Sequence, residues 1–297
     1  MAENTDNIRE LVVLSGKGGT GKTSITACFA TLARNRVVVD ADVDAADLHL
    51  VLRPRVRQET EFAGGHVAVI DPERCTTCGE CRERCQFGAI DADFRVDRVA
   101  CEGCGVCVHF CPAEAIDFPR RVCGRWFVSD TDHGPLVHAR LGIAEENSGL
   151  LVNLLRKEAK ALACRQGLNT IIVDGPPGIG CPVISSLTGA HAVLIITEPT
   201  LSGLHDLERV AELAAFFKIP AMVAVNRCDV NSDVTGRIGA YCREHGLTRV
   251  GEIPYDRDVT AAMVAQQSLV DFSTGPAARA VRALWDRVSE KLDLNKK

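Results

Sequence analysis

The chain has 297 residues, of which 46% are apolar, 25% charged and 5% aromatic, a composition that excludes wholesale disorder and a fibrous repeat. Its net charge of −5 offers no global basic field to nucleic acid, and its apolar runs, such as Thr170–Val173 and Ala192–Thr197, fall far short of the roughly 20 residues of a membrane helix. The segment MAENTDNIRE carries acids where a secretory leader carries basic and then apolar residues, so a cytoplasmic chain is expected, with no nucleic acid or membrane partner.

Leu11–Leu14 is a continuous apolar run, the pattern of a parallel strand buried on both faces. Gly16-Lys17-Gly18-Gly19-Thr20-Gly21-Lys22-Thr23 follows and satisfies GxxxxGK(S/T), with a helix expected over residues 23–34 from the spacing of Ile25, Cys28, Phe29 and Leu32. Glycines at these positions let backbone N–H groups wrap phosphate, and the helix start adds partial positive charge. Lys22 is expected at the β and γ phosphates and the Thr23 hydroxyl on Mg²⁺. Val37–Val39 returns to strand and ends in Asp40-Ala41-Asp42. Two carboxylates beside a phosphate loop suit metal binding, although an aspartate at a strand end is also a common helix cap.

Eight of the fourteen cysteines lie between Cys75 and Cys111. A shift of 26 residues carries Cys75, Cys78, Cys81 and Cys85 onto Cys101, Cys104, Cys107 and Cys111, Gly79 onto Gly105, and Ala89-Ile90-Asp91 onto Ala115-Ile116-Asp117. Two copies of one small unit are expected, inserted in a single α/β domain. CxxC spacing in a chain without a secretory leader points to metal rather than disulfides. Zinc is the competing metal, but two full runs with eight thiolates suit two cubanes better than one tetrahedral site.

Beyond the insert the alternation resumes. A helix is expected over residues 148–163, a strand over 170–173, another over 192–196, then helix 204–217, strand 221–225, helix 234–245, strand 250–253 and a last helix over about 275–292. In that helix Val281, Leu284, Trp285, Val288 and Leu292 form one face, which is expected to dock on its own domain. The fold class is α/β: a mainly parallel sheet covered by helices on both faces, with residues 1–66 and 120–297 forming one domain around an α+β insert at 67–119.

The loop KGGTGKT, with its early lysine, resembles the deviant Walker A motif of the MinD/ParA superfamily of P-loop ATPases, which includes the nitrogenase iron protein and the Mrp-type iron–sulfur carriers. The resemblance implies ATP and Mg²⁺ as ligands and an ATP-dependent homodimer or heterodimer, with Lys17 reaching the partner's nucleotide. The spacing alone equally allows Lys17 to neutralise phosphate in its own subunit. By the same resemblance Asp42 orients water and Asp40 lies near the metal. Asp174-Gly175-Pro176-Pro177-Gly178 is similar to the family's second switch, so that Asp174 holds Mg²⁺ and Gly178 senses the γ phosphate. Asp47 stands where asparagine is frequent in the family. Asn226-Arg227-Cys228-Asp229 and Pro254 look like the base-contacting segments, which implies Asn226 and Pro254 at the purine. NRxD also approaches the guanine motif NKxD, which keeps GTP open.

The runs CTTCGECRERC and CEGCGVCVHFCP resemble bacterial ferredoxins with two 4Fe–4S clusters, in which each fourth cysteine ligates the other cluster. This implies one cluster on Cys75, Cys78, Cys81 and Cys111 and a second on Cys101, Cys104, Cys107 and Cys85. The first run ends in Cys85-Gln86 rather than Cys-Pro. Of the remaining cysteines, Cys28, Cys123, Cys164, Cys228 and Cys242 are expected in the core. Cys181 lies seven residues after Asp174, the offset of the cluster-bridging cysteine in the nitrogenase iron protein; the segment Glu145-Glu146-Asn147-Ser148-Gly149, where the second such cysteine would fall, has none. The combined resemblance implies an ATP hydrolase that cycles through an ATP-clamped dimer while its clusters exchange electrons with a redox protein partner. An iron–sulfur or metallocofactor carrier, and a positioning ATPase with redox-sensing clusters, are the competing readings.

Overall fold

A computed structural model describes residues 7–142 and 148–294. The chain forms two compact units. Of the described residues, 7–59, 126–140 and 148–294 make the larger, and 60–125 with 141–142 the smaller.

The larger unit opens with β1 (Arg9–Ser15), α1 (Lys22–Leu32), β2 (Arg36–Asp40), α2 (Leu48–Leu52) and β3 (Arg55–His66), whose far end enters the smaller unit. The smaller unit holds β4 (Val69–Ile70), α3 (Glu80–Glu83), α4 (Val106–His109) and β5 (Ile116–Asp117), and the chain leaves it along β6 (Arg120–Thr131). Then come β7 (Gly134–Leu141), α5 (Ser148–Gln166), β8 (Thr170–Pro177), α6 (Cys181–Leu187), β9 (Ala192–Thr197), α7 (Leu201–Phe216), β10 (Ala221–Asn226), α8 (Ser232–Glu244), β11 (Thr248–Ile253), α9 (Asp258–Val264), α10 (Leu269–Phe272) and α11 (Pro276–Lys291).

The sheet order is β11-β10-β9-β1-β8-β2-β7-β6-β3, parallel in every pairing from β11 through to β7. The strands at its centre are buried on both faces because helices cover both, which is why Leu11–Leu14, Ile171–Val173 and Val193–Ile196 read as unbroken apolar runs. On one face Leu11, Val13, Ile172 and Leu194 meet α1 and α11 through Phe29, Val281, Leu284, Trp285 and Val288. The last helix therefore spends its apolar stripe on its own sheet. On β1 the alternate residues Val12 and Leu14 point to the other face, where α5, α6 and α7 pack on β2, β8 and β9. There the buried Glu10 carboxylate takes Arg156 Nε at 2.5 Å, while Arg156 Nη1 donates to the carbonyls of Ser185 and Thr188, pinning the end of α6.

Two features depart from the sequence reading. Residues 55–66 and 120–141, read as neither strand nor helix, extend the sheet as β3, β6 and β7. The two-residue turn between β6 and β7 serves only antiparallel neighbours, and the ion pairs Arg55–Asp132 and Arg57–Asp130 step in opposite directions along β3 and β6, again antiparallel. Cys164 and Cys228 are only partly buried, unlike Cys28, Cys123 and Cys242: Cys164 lies in the last turn of α5 and Cys228 in the loop after β10.

His138 on β7 stacks on Phe127 at 5.0 Å and shares a 2.9 Å hydrogen bond with Ser129 Oγ. Burial, with His49 and Arg140 adding, lowers its pKa to about 4. The imidazole is neutral in the folded chain and titrates near 6.5 when unfolded. Its contribution to stability is complete above pH 6.5 and is lost as pH falls toward 4. His138→Gln is expected to remove about 1 to 2 kcal/mol of the stability difference between pH 7 and pH 5, read from urea melts at the two pH values.

Candidate functional site

The loop between β1 and α1 is shaped by its glycines. Gly19 and Gly21 take φ of 79° and 88°, the left-handed region, and a Cβ on Gly16 would strike Asp206 of α7. The first turn of α1 has no side-chain cap and no acid, so its N–H groups stay open to an anion. They face a cavity of about 400 Å³. Of the residues singled out in the sequence, Gly18, Gly19, Thr20, Gly21, Lys22, Thr23, Asp42, Asn226 and Pro254 line it; Asp47 does so as well. Gly16, Lys17, Asp40, Asp174 and Gly178 are not in its lining.

Under the loop the sheet gathers residues far apart in the chain. Asp40 and Asp174 end adjacent strands and pair in register. Lys22 Nζ lies 3.0 Å from Asp174 Oδ1 and 3.3 Å from Asp42 Oδ2, and Thr23 Oγ1 donates to Asp174 Oδ2 at 2.8 Å. Asp40 accepts the amides of Asp42 and Leu48. Thr26, which sequence reasoning missed, donates to Asp174 Oδ1 at 2.9 Å from one turn further along α1. Burial pulls the Lys22 ammonium pKa down, but Asp174, Asp42 and Asp40 outweigh it and the net shift is upward. Asp40 is pushed well up, by burial first and then by Asp174, against the pull of Lys22. Asp42 is raised by burial as well, with Lys22 opposing. Three carboxyl groups thus crowd one ammonium, with Asp40 and Asp42 pushed toward their neutral forms, and the oxygen donors Thr23 and Asp174 are of the type a hard divalent cation takes.

The same cavity is also lined by Tyr255, Val259, Met263 and Leu269, a mainly apolar group. Asn226 borders this space but spends its amide on the loop, donating to the Thr20 carbonyl at 2.8 Å and accepting from Arg227 N. Asp229 turns away: its carboxylate takes the Tyr255 amide at 2.7 Å and does not line the cavity. Cys181 is exposed at the start of α6. Residues 145–147 of the segment compared with the second bridging cysteine lie outside the described residues.

In the smaller unit the internal repeat holds at the level of single hydrogen bonds. Cys75 N–H donates to Asp71 O and Cys101 N–H to Asp97 O, both at 3.0 Å; Ala89 N–H reaches Cys85 Sγ at 3.4 Å and Ala115 N–H reaches Cys111 Sγ at 3.3 Å. The repeats also embrace each other, since Asp71 N–H bonds Ala115 O while Asp97 N–H bonds Ala89 O. This crossing carries each fourth cysteine to the other repeat. One cavity is lined by Cys75, Cys78, Cys81 and Cys111, and a second by Cys101, Cys104, Cys107 and Cys85. Gly79 and Gly105, at φ 90° and 73°, start the short helices that bring in the third thiol of each set. Burial first, then neighbouring thiols, raises the pKa values of Cys81 and Cys107. Among the described residues no group of three or more His, Cys, Asp or Glu side chains converges on a single metal ion.

Residues 11–269 match the family model described as the CobQ/CobB/MinD/ParA nucleotide binding domain. The chain belongs to that family of α/β nucleotide-binding proteins with a P-loop. Among relatives, the uncharacterized protein MJ0578 of Methanocaldococcus jannaschii is 32% identical over 286 residues, covering 95% of this chain and 97% of that one. An iron-sulfur cluster carrier protein of Pyrococcus abyssi is 22% identical over 95% of this chain and 86% of its own length. The fold is that of the septum site-determining protein MinD of Pyrococcus horikoshii, solved with Mg-ADP, at TM-score 0.62, 16% identity and coverage of 98% and 99%. Among the described residues no helix is long and apolar enough to cross a membrane.

Proposed function

We propose that this chain is an ATP hydrolase of the MinD/ParA type that couples its nucleotide cycle to electron transfer through two 4Fe–4S clusters. The observation that carries the redox half is the crossed grouping of eight thiols into two separate cavities, each with three cysteines of one repeat and the fourth of the other. In a cubane every thiolate takes its own iron atom, so two clusters use all eight thiols, whereas a tetrahedral zinc site uses only four. The amides of Thr77, Ala89 and Ala115, which donate to the sulfurs of Cys75, Cys85 and Cys111, would stabilise thiolate charge. Each bound cluster would supply one-electron chemistry.

On the nucleotide side, Gly18–Gly21 and the open start of α1 hold the phosphates. Lys22 offsets their charge, Thr23 and Asp174 hold Mg²⁺, with Asp40 beside them, and Asp42 positions the attacking water. Lys17 acts on the nucleotide of the second subunit of an ATP-dependent dimer. The engagement of Asp229 with Tyr255 supports ATP over GTP, because a guanine-reading carboxylate has to face the base. The carrier reading draws on the Pyrococcus abyssi relative and differs in one respect: it requires a cluster that leaves intact for an acceptor protein.

Anaerobic EPR of the dithionite-reduced protein, with and without Mg-ATP, tests the proposal. Cubane signals whose shape or midpoint potential shifts with Mg-ATP are expected. Zinc in place of iron overturns the redox half; signals indifferent to ATP overturn the coupling; transfer of an intact cluster to an apoprotein favours the carrier.

A further inference from the structure

Lys17 does not face the nucleotide cavity that its own loop encloses. Its ammonium lies 2.5 Å from Glu198 Oε1 and donates to Ser202 Oγ at 3.2 Å. The other oxygen of Glu198 is 3.2 Å from Arg227 Nη1, and Arg227 does line the cavity, next to Asn226. One carboxylate thus ties the phosphate loop to the segment after β10. Neither the sequence reading nor the family match gives Glu198 a role.

The carboxylate stands on a stiff mount. It follows β9 directly, and the turn into α7 is locked by four hydrogen bonds: Thr200 N–H to Glu198 O, Gly203 N–H to Thr200 Oγ1, Leu204 N–H to Thr200 O, and Thr197 Oγ1 to Gly203 O. A Cβ on Gly203 would collide with the Glu198 carbonyl, so the turn is closely packed. Lys17, by contrast, sits on a glycine loop with a long side chain that is one-third exposed, against 14% for Glu198. Of the two partners, the lysine is the one free to move.

We propose that Glu198 is a positioning residue that parks Lys17 away from the phosphates, so that the lysine is released only when the charge of a triphosphate outbids the carboxylate. This rests on the reading of the loop as an ATP site. Because Glu198 also holds Arg227, release of Lys17 leaves the carboxylate paired to the segment beside Asn226, and an empty site keeps both cations restrained together. The ligand the device answers to is a nucleoside triphosphate, whose terminal phosphate brings the additional charge.

The test is a double-mutant cycle on the full chain with a fluorescent ATP analogue. Glu198→Gln is expected to tighten ATP binding about fivefold, the scale of a partly exposed ion pair, while Glu198→Asp stays near wild type. In a Lys17→Ala background the same Glu198→Gln change is expected to do nothing. An equal gain in both backgrounds would show that Glu198 merely adds negative potential near the site, and no gain in either would show that it restrains nothing; each overturns the proposal. Loss of ATP binding in Lys22→Ala alongside an inert Glu198→Gln leaves the nucleotide reading standing and sinks this one alone. Retention of binding in Lys22→Ala sinks the reading itself. Melting curves on Glu198→Gln and Glu198→Asp separate these outcomes from a folding defect.

Discussion

Lys22→Ala is expected to weaken ATP binding by about a hundredfold or more and to destabilise the ligand-free protein by about 3 kcal/mol. The two effects share a cause. Lys22 is 5% exposed and is the countercharge for Asp174 and Asp42, while Asp40 and Asp174 are fully buried. Removing one partner of a buried charge group leaves the rest uncompensated, which costs more than the pairing itself is worth. Lys22→Arg keeps positive charge among the carboxylates but cannot present the same point charge to phosphate, so it is expected to retain most of the stability and little of the affinity. Lys17→Ala, at a one-third exposed site, is expected to leave stability within about 0.5 kcal/mol of wild type. Urea melts and titration with a fluorescent ATP analogue read both quantities. Wild-type affinity in Lys22→Ala would show that this loop does not bind triphosphate.

What could be read from the sequence divides along a physical line. The phosphate loop was legible because its chemistry is local: glycines, lysine and threonine at fixed spacing already dictate backbone shape. The central strands were legible because burial on both faces writes itself as unbroken Val, Ile and Leu. The roles of the remaining polar groups depend on contacts across the sheet. Thr26 looks like an ordinary helix residue until β8 brings Asp174 beneath it. Asp229 looks like a base reader until the loop after β11 offers it the Tyr255 amide. Glu198 sits in TEPT with no motif around it, and only the approach of Lys17 and Arg227 gives it meaning. The ribbon of β3, β6 and β7 escaped for a different reason. Its strands interleave charged and apolar residues with little run length, as exposed edge strands do, and its partners lie about 70 residues apart, on either side of the cysteine repeats.

Cys111→Ser is expected to halve the iron content, from about eight to about four atoms per chain, and to remove the cluster of the first repeat rather than that of its own. The crossing of the repeats makes this a sharp test. Cys111 shares a cavity with Cys75, Cys78 and Cys81, although it closes the run that begins at Cys101. Adding Cys78→Ala to Cys111→Ser therefore costs no further iron, whereas adding Cys104→Ala, on the other cavity, removes the rest. An uncrossed arrangement predicts the reverse pattern, so iron analysis of the two double variants discriminates without relying on activity. The smaller unit has only a modest buried core, chiefly Ala68, Cys81, Ile90 and Ile116 with partly buried residues packed around them. Metal binding in so small a unit supplies folding free energy. Cys85→Ser with Cys111→Ser is accordingly expected to lose both clusters and to expose the smaller unit to proteolysis. The larger unit, whose core is its own, should keep its nucleotide affinity, because none of the thiols in question touches the cavity at the start of α1.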